Sequence, residues 1–195
     1  MAAGLSVRPL EAASVAGALA CEGAFTVTQR LVVAMQRDGT LDHAAVQVDP
    51  PYGKRYEATA AEDLATYAAG ENGKAGFVAD ADGAIVGRVL LAPLWNRYGR
   101  VDDLAVAQAF RRKGVGMALM RRALAWARER GLAGVVLETQ DVNVPACRLY
   151  ERMGFVLGGF DRFLYRGLDP NSRETALYWY RTFDAAVGGV APRPD

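Results

Sequence analysis

The pattern of apolar and polar positions predicts a hairpin of two strands near the start of the chain. Alternating and β-branched residues run through Phe25–Met35, a turn follows at Asp38-Gly39, and a second run ends at Val48. Pro50-Pro51 and Gly53 are predicted to close this unit. The first half of the chain is therefore expected to be rich in strands.

Helical patterns lie on either side of this hairpin. Residues 1–23 are rich in Ala and Gly, and they indicate a helix around Leu10–Ala20. Beyond the hairpin, Thr59 precedes the acidic pair Glu62-Asp63 and an Ala-rich run to Ala69. This second pattern predicts a short helix with acidic residues in its first turn.

Strands and helices then follow each other in a regular order. The longest predicted helix has an apolar stripe formed by Val115, Leu119, Ala123 and Trp126. The predicted elements, in chain order, are strands at Ala75–Ala79, Ala84–Leu91 and Arg100–Val106, a helix at Gly114–Arg130, a strand at Gly134–Glu138, a helix from Asn143 to Met153, and strands at Phe155–Tyr165 and Thr175–Phe183. This order predicts an α/β or α+β domain with a mixed sheet.

Length and composition indicate one globular domain over residues 1–195. The chain is long enough for one sizeable core, with 51% apolar and 23% charged residues. Residues 1–23 and the tail 187–195 are expected to be peripheral or partly disordered. The formal net charge is +1, so no global field would recruit nucleic acid. No stretch approaches the ~20 apolar residues of a membrane span, so no membrane partner is expected.

The cysteine and histidine content restricts the chemistry further. Cys21 and Cys147 cannot form a disulfide framework and lack zinc-ligand spacing, so we expect no metal and a reducing cytoplasm. The single histidine, His43, argues against a His-rich metal site and a Ser-His-Asp hydrolase. Ala18-Leu19-Ala20-Cys21 faintly resembles a signal-peptide cleavage site, but Glu11 interrupts the apolar stretch before it, so secretion is not expected.

Two glycines and three cations lie at the predicted start of the longest helix. The run is Arg111-Arg112-Lys113-Gly114-Val115-Gly116. Free amides and the positive dipole end favour an anion at a helix N-terminus, and glycine lets the anion approach the backbone. A solvated basic helix start is the alternative, although cations there would oppose the dipole without a bound anion. The run therefore indicates a pyrophosphate cradle, and it matches neither a Walker A loop nor a Rossmann fingerprint.

A second constellation lies on the next predicted helix. Asn143, Ala146 and Tyr150 are spaced three and four residues apart, so they share one helix face. An amide, a small side chain and a phenol in a row could contact a ligand chain. Alternatively, Ala146 and Tyr150 are core residues and Asn143 is a plain N-cap. The spacing alone leaves both interpretations open.

Together, these two constellations resemble the GNAT superfamily of N-acetyltransferases. Arg111-x-x-Gly114-x-Gly116 is similar to its coenzyme A pyrophosphate motif, and Asn143-x-x-Ala146-x-x-Leu149-Tyr150-x-x-x-Gly154-Phe155 is similar to its second hallmark. Further stretches resemble the streptothricin acetyltransferases, and they include Trp95-Asn96-Arg97-Tyr98, Leu137-Glu138-Thr139-Gln140-Asp141-Val142-Asn143, Phe160-Asp161 with Leu164-Tyr165, and Tyr178-Trp179-Tyr180. The similarity covers roughly residues 50–183.

The resemblance implies a fold and a co-substrate. The fold is a central mixed, mostly antiparallel sheet with flanking helices, in which the strands Arg100–Val106 and Gly134–Glu138 are parallel neighbours that splay apart. Acetyl-coenzyme A would enter that cleft and no metal would be needed. Backbone groups of Leu104, Ala105 and Val106 would bind the pantetheine arm, together with Asn143 and Ala146. The cradle at Arg111–Gly116 would hold the pyrophosphate.

The resemblance also implies a reaction, in which a primary amine of the β-lysine part of streptothricin is acetylated and the antibiotic loses its effect. Glu138 is the first candidate for the general base, followed by Asp102 and Asp103, although all three could be structural or bind substrate. Tyr150 would reach the thioester sulfur and protonate the leaving thiolate. The residues expected to bind the cationic substrate are Trp95, Tyr98, Asp102, Asp103, Glu138 and Asp161.

The sequence is also compatible with other substrates and other types of site. The acceptor could be a different amine, such as a polyamine, another aminated antibiotic or a protein lysine. A covalent route through Cys147 lacks an apparent histidine partner, and the basic residues lack the interleaved aromatics of a nucleic-acid site. A non-catalytic coenzyme A-binding module is disfavoured because Tyr150 and the glycine pair are intact. Trp95, Tyr98 and Trp179 could supply aromatic faces for the cationic substrate, but all three could also lie in the core or at the contact of a homodimer.

Overall fold

The computed structural model describes residues 4–21 and 24–183. The strands are Leu5–Pro9 (β1), Ala24–Met35 (β2), Leu41–Arg55 (β3), Ala75–Ala81 (β4), Ala84–Pro93 (β5), Tyr98–Val106 (β6), Gly134–Gln140 (β7), Val156–Asp161 (β8) and Ala176–Thr182 (β9). The α-helices are Val15–Leu19 (α1), Ala61–Ala68 (α2), Val115–Glu129 (α3) and Val144–Arg152 (α4). Short 3-10 helices lie at Ala12–Ser14, Glu71–Gly73, Gln108–Phe110 and Leu164–Gly167.

A seven-stranded sheet forms the centre of the molecule, in the order β1-β4-β5-β6-β7-β9-β8. Its neighbouring strands are antiparallel except for β6 and β7, which run parallel. The predicted mixed, mostly antiparallel sheet with flanking helices and one parallel pair is therefore confirmed. The hairpin β2–β3 forms a separate two-stranded sheet.

The parallel pair comes apart before either strand ends. Pairing between β6 and β7 stops at Val101 and Leu137, yet β6 continues to Val106 and β7 to Gln140. On its other side, β6 carries Asp102 as an extra residue in its register with β5. Such a bulge bends a strand and increases its local twist. A cleft therefore opens between the carboxyl ends of the two strands.

Helix α3 follows β6 and packs its apolar stripe against the sheet. Leu119 and Ala123 are fully buried, and Trp126 is 3% exposed, while Arg121 and Arg128 face solvent. The spacing of the buried residues places them on one side of the helix, which has 3.6 residues per turn, as the sequence predicts. This packing fixes the direction of α3, and the loop of residues 107–114 joins its N-terminus to the end of β6.

Four local predictions differ from the structure. Residues 5–9 form β1, for which no strand was predicted, and the expected helix around Leu10–Ala20 is reduced to a 3-10 turn and the five-residue α1. Strand β3 continues past Pro50-Pro51 because these prolines lie in a bulge opposite Thr28, where no ladder donor is needed. The predicted strand Phe155–Tyr165 ends at Asp161, where a 3-10 turn begins. The tail 187–195 lies outside the described residues.

No helix among the described residues is both long and apolar enough to cross a bilayer.

Candidate active site

The N-terminus of α3 forms a backbone cradle at the mouth of the cleft. Gly114 is the N-cap, with a left-handed φ of 89°, and a Cβ added there would meet no atom within 4 Å. Arg112 also has a positive φ, 61°, which is uncommon for a residue with a side chain. The first helical amides lack intrahelical acceptors, and a glycine cap offers no side chain to accept from them. This open backbone fits a diphosphate group.

The side chains of the cradle are less free than the sequence suggests. Arg111 was expected to contact the pyrophosphate, but its guanidinium donates to the carbonyl oxygens of Val106 at 3.2 Å and Ala24 at 3.0 Å. The Lys113 ammonium lies 5.2 Å from the centre of the Phe110 ring. Arg111 therefore ties the loop to the end of β6.

Gly116 serves packing between helices. A Cβ at this position would lie 3.2 Å from the Leu149 side chain on α4, a close contact that the leucine would have to relieve. Leu104 and Val106 of β6 are half-buried and pack against the same core. The glycine pair thus combines an open cradle with close approach of α3 to its neighbours.

Asn143 connects the two walls of the cleft. Its side-chain oxygen accepts a hydrogen bond from the Ala146 amide at 3.3 Å, so it does cap α4. Its amide nitrogen donates to the Tyr56 hydroxyl at 3.0 Å, which joins α4 to the end of the β2–β3 hairpin. The N-cap interpretation is confirmed, and the second hydrogen bond goes beyond it.

Tyr150 is almost completely buried in the core beside the cleft. Only 6% of it is exposed, and its ring lies 6.0 Å from Phe155 and 6.4 Å from Trp179. Burial raises the pKa of the Tyr150 phenol. The residue therefore stays protonated at any working pH, as a proton donor must, but it also belongs to the core.

Glu138 is the first residue of β7 that no longer pairs with β6, and it lies beside the opening of the cleft. Glu138 as a whole residue is exposed. The groups around its carboxylate nevertheless reduce its hydration, and this desolvation raises the pKa of Glu138. The Tyr165 hydroxyl donates a hydrogen bond to this carboxylate, which lowers the pKa in part. Glu138 is thus a carboxylate at the cleft with a pKa moved toward neutrality.

Asp102 and Asp103 are engaged in other contacts. The Asp103 carboxylate accepts from Nε of Arg88 at 2.7 Å, and Arg88 is only 3% exposed. Asp102 pairs with Arg100 and accepts from the Tyr67 hydroxyl at 2.9 Å. These partners compete with any role in proton transfer, so the geometry favours Glu138 among the three candidates.

The structure does not bring the other predicted substrate residues together. Tyr98 is the first residue of β6 and Trp95 lies in the exposed turn before it. Tyr98 pairs with Gly134, and Glu138 lies four residues further along β7, about 13 Å away. Asp161 accepts hydrogen bonds from the amides of Phe163 at 2.7 Å and Leu164 at 3.1 Å. It therefore stabilises a turn, and Trp95 and Tyr98 belong to the opposite end of the sheet.

The model of the acetyltransferase (GNAT) family matches residues 43–155, more than half of the chain. The chain belongs to the GNAT acetyltransferase family. This membership confirms the predicted N-acetyltransferase class with acetyl-coenzyme A as co-substrate. The family match runs through the cradle, the cleft and Glu138.

Relatives resemble this GNAT enzyme over most of its length. Streptothricin acetyltransferase A of Bacillus subtilis is 36% identical over 82% of this chain and 89% of that protein. Streptothricin acetyltransferase of Streptomyces lavendulae is 37% identical over 89% of this chain and 90% of that protein. A Bacillus anthracis protein assigned as a streptothricin acetyltransferase, solved with acetyl coenzyme A, superimposes with a TM-score of 0.83 at 35% identity, covering 92% of this chain and 99% of that one.

Sequence reasoning missed a cavity beside Tyr165, the hydrogen-bond partner of Glu138 in this GNAT site. The cavity has a volume of about 450 Å³ and lies between the end of the hairpin and the segment that precedes β9. Tyr165 lines it, as do Lys54 and Glu174, which form an ion pair across it. Tyr165 lies in one of the stretches that resemble the streptothricin acetyltransferases, but no sequence spacing relates residues 54, 138 and 165 to each other. Only the packing of the hairpin against the 162–175 segment creates the cavity.

The covalent alternative does not fit this GNAT site. Cys147 is fully buried, and burial raises the pKa of its thiol to about 12. His43 pairs with Glu151 instead, with Nε2 and Oε1 3.1 Å apart. A nucleophilic thiol needs a lowered pKa and access, and Cys147 has neither. Within residues 4–21 and 24–183, no cluster of His, Cys, Asp and Glu could hold a metal ion.

Proposed function

We propose that this enzyme transfers the acetyl group of acetyl-coenzyme A to a primary amine in the β-lysine part of streptothricin, and thereby makes a host resistant to the antibiotic. The observation that carries the proposal is similarity over most of the chain to the streptothricin acetyltransferases of B. subtilis and S. lavendulae, over 82% and 89% of this chain. The S. lavendulae match is long enough to include the β2–β3 hairpin and most of the segment that lines the cavity beside Tyr165, which would be the acceptor cavity. Substrate recognition by these parts is therefore expected to be shared as well.

The cradle and the cleft would hold the co-substrate through the backbone. The amides of Arg112 to Gly116 would bind the pyrophosphate, because no side chain caps them. The unpaired edge of β6, from Leu104 through Ala105 to Val106, would bind the pantetheine arm where β7 has moved away. Asn143 and Ala146 would border the same arm on α4. Acetyl-coenzyme A supplies the activated acetyl group.

Glu138 would serve as the general base. A primary amine has a reference pKa near 10.4, so only about one in 10³ molecules is neutral and nucleophilic at pH 7. A carboxylate with a raised pKa is a stronger base, and burial raises the pKa of Glu138. Loss of the proton to Glu138 lets the amine attack the acetyl carbon. Carbon–nitrogen bond formation then releases a thiolate.

Tyr150 would donate a hydrogen bond or a proton to that thiolate. Its raised pKa keeps the hydroxyl protonated, but a thiol has a reference pKa near 8.5, so complete transfer from the phenol is uphill. Stabilisation of the developing negative charge on sulfur by the hydroxyl is therefore the main contribution expected of this residue. Free Cys21 and Cys147 are consistent with a reducing, cytoplasmic location.

The test is to mix purified protein with acetyl-coenzyme A and streptothricin and to follow thiol release. We expect rapid release, a product heavier by one acetyl group on the β-lysine part, and an apparent KM for streptothricin that rises with salt, because charge attraction is screened over about 8 Å at physiological ionic strength. A host expressing the chain should become resistant. The control is a panel of a polyamine, another aminated antibiotic and a lysine peptide. Efficient acetylation of one of these, without streptothricin-dependent release, would overturn the substrate and leave the acetyltransferase class intact.

A further inference from the structure

The hydrogen bond between Tyr165 and Glu138 joins the acceptor cavity to the candidate base. We propose that Tyr165 is a positioning residue, whose hydroxyl holds the Glu138 carboxylate in the orientation that accepts the proton of the substrate amine. This inference rests on the proposed role of Glu138. It assigns a task to a residue that lies outside both the pyrophosphate motif and the motif from Asn143 to Phe155.

The backbone holds Tyr165 firmly in place. Asp161, at the end of β8, accepts from the amides of Phe163 and Leu164 and so starts the 3-10 helix Leu164–Gly167. The Tyr165 carbonyl then accepts from the amides of Leu168 at 3.1 Å and Asp169 at 3.0 Å. The ring is thus carried by a turn that is tied on both sides, and its hydroxyl reaches Glu138 across the sheet.

The carboxylate needs such a partner because little else orients it. The terminal torsion of a glutamate is broad, so an unbonded carboxylate rotates among many orientations. Tyr165 donates to Oε1 of Glu138, and Oε2 remains to accept from an amine. Tyr165 also lines the cavity, so the side chain that bonds Glu138 borders the space that an acceptor would occupy.

The other groups around Glu138 do not replace this contact. Tyr178 is its cross-strand neighbour on β9, and two further phenols interact electrostatically with it, Tyr56 just after β3 and Tyr150 on α4. Among the described residues, the hydrogen bond to the Glu138 side chain comes from Tyr165. Burial and the nearby carboxylate raise the pKa of Tyr165, so its hydroxyl keeps its proton and remains a donor over the working pH range.

The sign of the expected pH effect follows from this donation. A hydrogen bond to the charged form of a carboxylate favours that form and lowers its pKa. Tyr165→Phe removes the donor, so the pKa of Glu138 should rise further. Because the base must be deprotonated, the acidic limb of kcat/KM should move to higher pH. Loss of orientation should also reduce kcat roughly 10- to 100-fold, the range that small misplacements of reacting groups produce.

The experiment compares Tyr165→Phe with Tyr178→Phe in the full chain. Tyr178 lies on β9 directly opposite Glu138, so Tyr178→Phe removes a nearby phenol without removing the hydrogen bond to Glu138. Kinetics are measured from pH 5 to 9 with streptothricin, or with the best amine of the panel. We expect a lower kcat and a shifted acidic limb for Tyr165→Phe alone, with KM for acetyl-coenzyme A within about twofold of the wild type. Thermal unfolding checks that both variants are folded.

Three outcomes would overturn the inference, and they are distinguishable. If Tyr165→Phe and Tyr178→Phe share the same kcat and pH profile while Glu138→Gln is inactive, Tyr165 does not position the base and the proposed function stands. If Glu138→Gln itself keeps its activity, the base is a different group and the inference fails with it. Loss of activity in Tyr165→Phe with an unmoved acidic limb would show a packing role only.

Discussion

Gly114→Asp offers the most direct test of the cradle at the start of α3. The substitution places a carboxylate where the added Cβ meets no protein atom within 4 Å, so it enters the proposed anion site without a clash. Gly114 has a φ of 89°, and a residue with a side chain there costs about 1–2 kcal/mol, with Asp at the lower end. A negative charge at a helix N-terminus returns about 0.3–1 kcal/mol. The free energy of unfolding should therefore change by about 1 kcal/mol or less.

The effect on coenzyme A binding should be much larger. A carboxylate about 6 Å from a pyrophosphate with about two charges, at an effective dielectric constant of about 40, is repelled by about 2.8 kcal/mol. This corresponds to roughly a hundredfold weaker binding. The two effects differ enough to separate loss of the site from loss of the fold.

The control lies at the other end of the same helix. Gly131 also has a positive φ, 63°, and an added Cβ there meets nothing within 4 Å, so Gly131→Asp carries the same backbone strain without approaching the cradle. Calorimetric titration with coenzyme A measures affinity, and urea unfolding measures stability. We expect weak binding in Gly114→Asp and wild-type binding in Gly131→Asp. Coenzyme A affinity within threefold of wild type in a folded Gly114→Asp variant would refute the cradle.

Three further predictions concern the cleft and its support. Tyr150→Phe should lower kcat by roughly 10²–10⁴ with little change in either KM, and a decrease below about threefold in steady-state kinetics would make Tyr150 a packing residue only. Because burial raises the pKa of Glu138, wild-type kcat/KM should fall as pH drops through a midpoint above the ordinary value of 4.5, and this limb should be absent from the residual activity of Glu138→Gln. Arg88→Met leaves the Asp103 carboxylate without its ion-pair partner, and the free energy of unfolding, measured by urea titration, should fall by about 3 kcal/mol. A decrease below about 1 kcal/mol would show that this ion pair contributes little to stability.

Residues that act through their neighbours along the chain were predictable. The apolar stripe of α3 follows from helical spacing, and the Asn143 cap follows from its place just before α4. The cradle at Gly114 was predicted for the same reason, because an anion site at a helix N-terminus is made by consecutive residues. Periodicity and local hydrogen bonding are sufficient evidence for such features.

Contacts between distant segments were not predictable in this way. The break after Val101 and Leu137, the engagement of Asp103 by Arg88, and the meeting of Tyr165 with Glu138 each join residues that have no common local pattern. Trp95 and Tyr98 were predicted to bind substrate together with Glu138. They instead lie at the end of β6 that is far from the cleft. A strand advances about 3.3 Å per residue, so position along it decides which residues meet. The sequence by itself therefore determined the family, the order of most elements and the glycine-capped start of α3, while tertiary packing decided which carboxylates are paired and where the cavity beside Tyr165 lies.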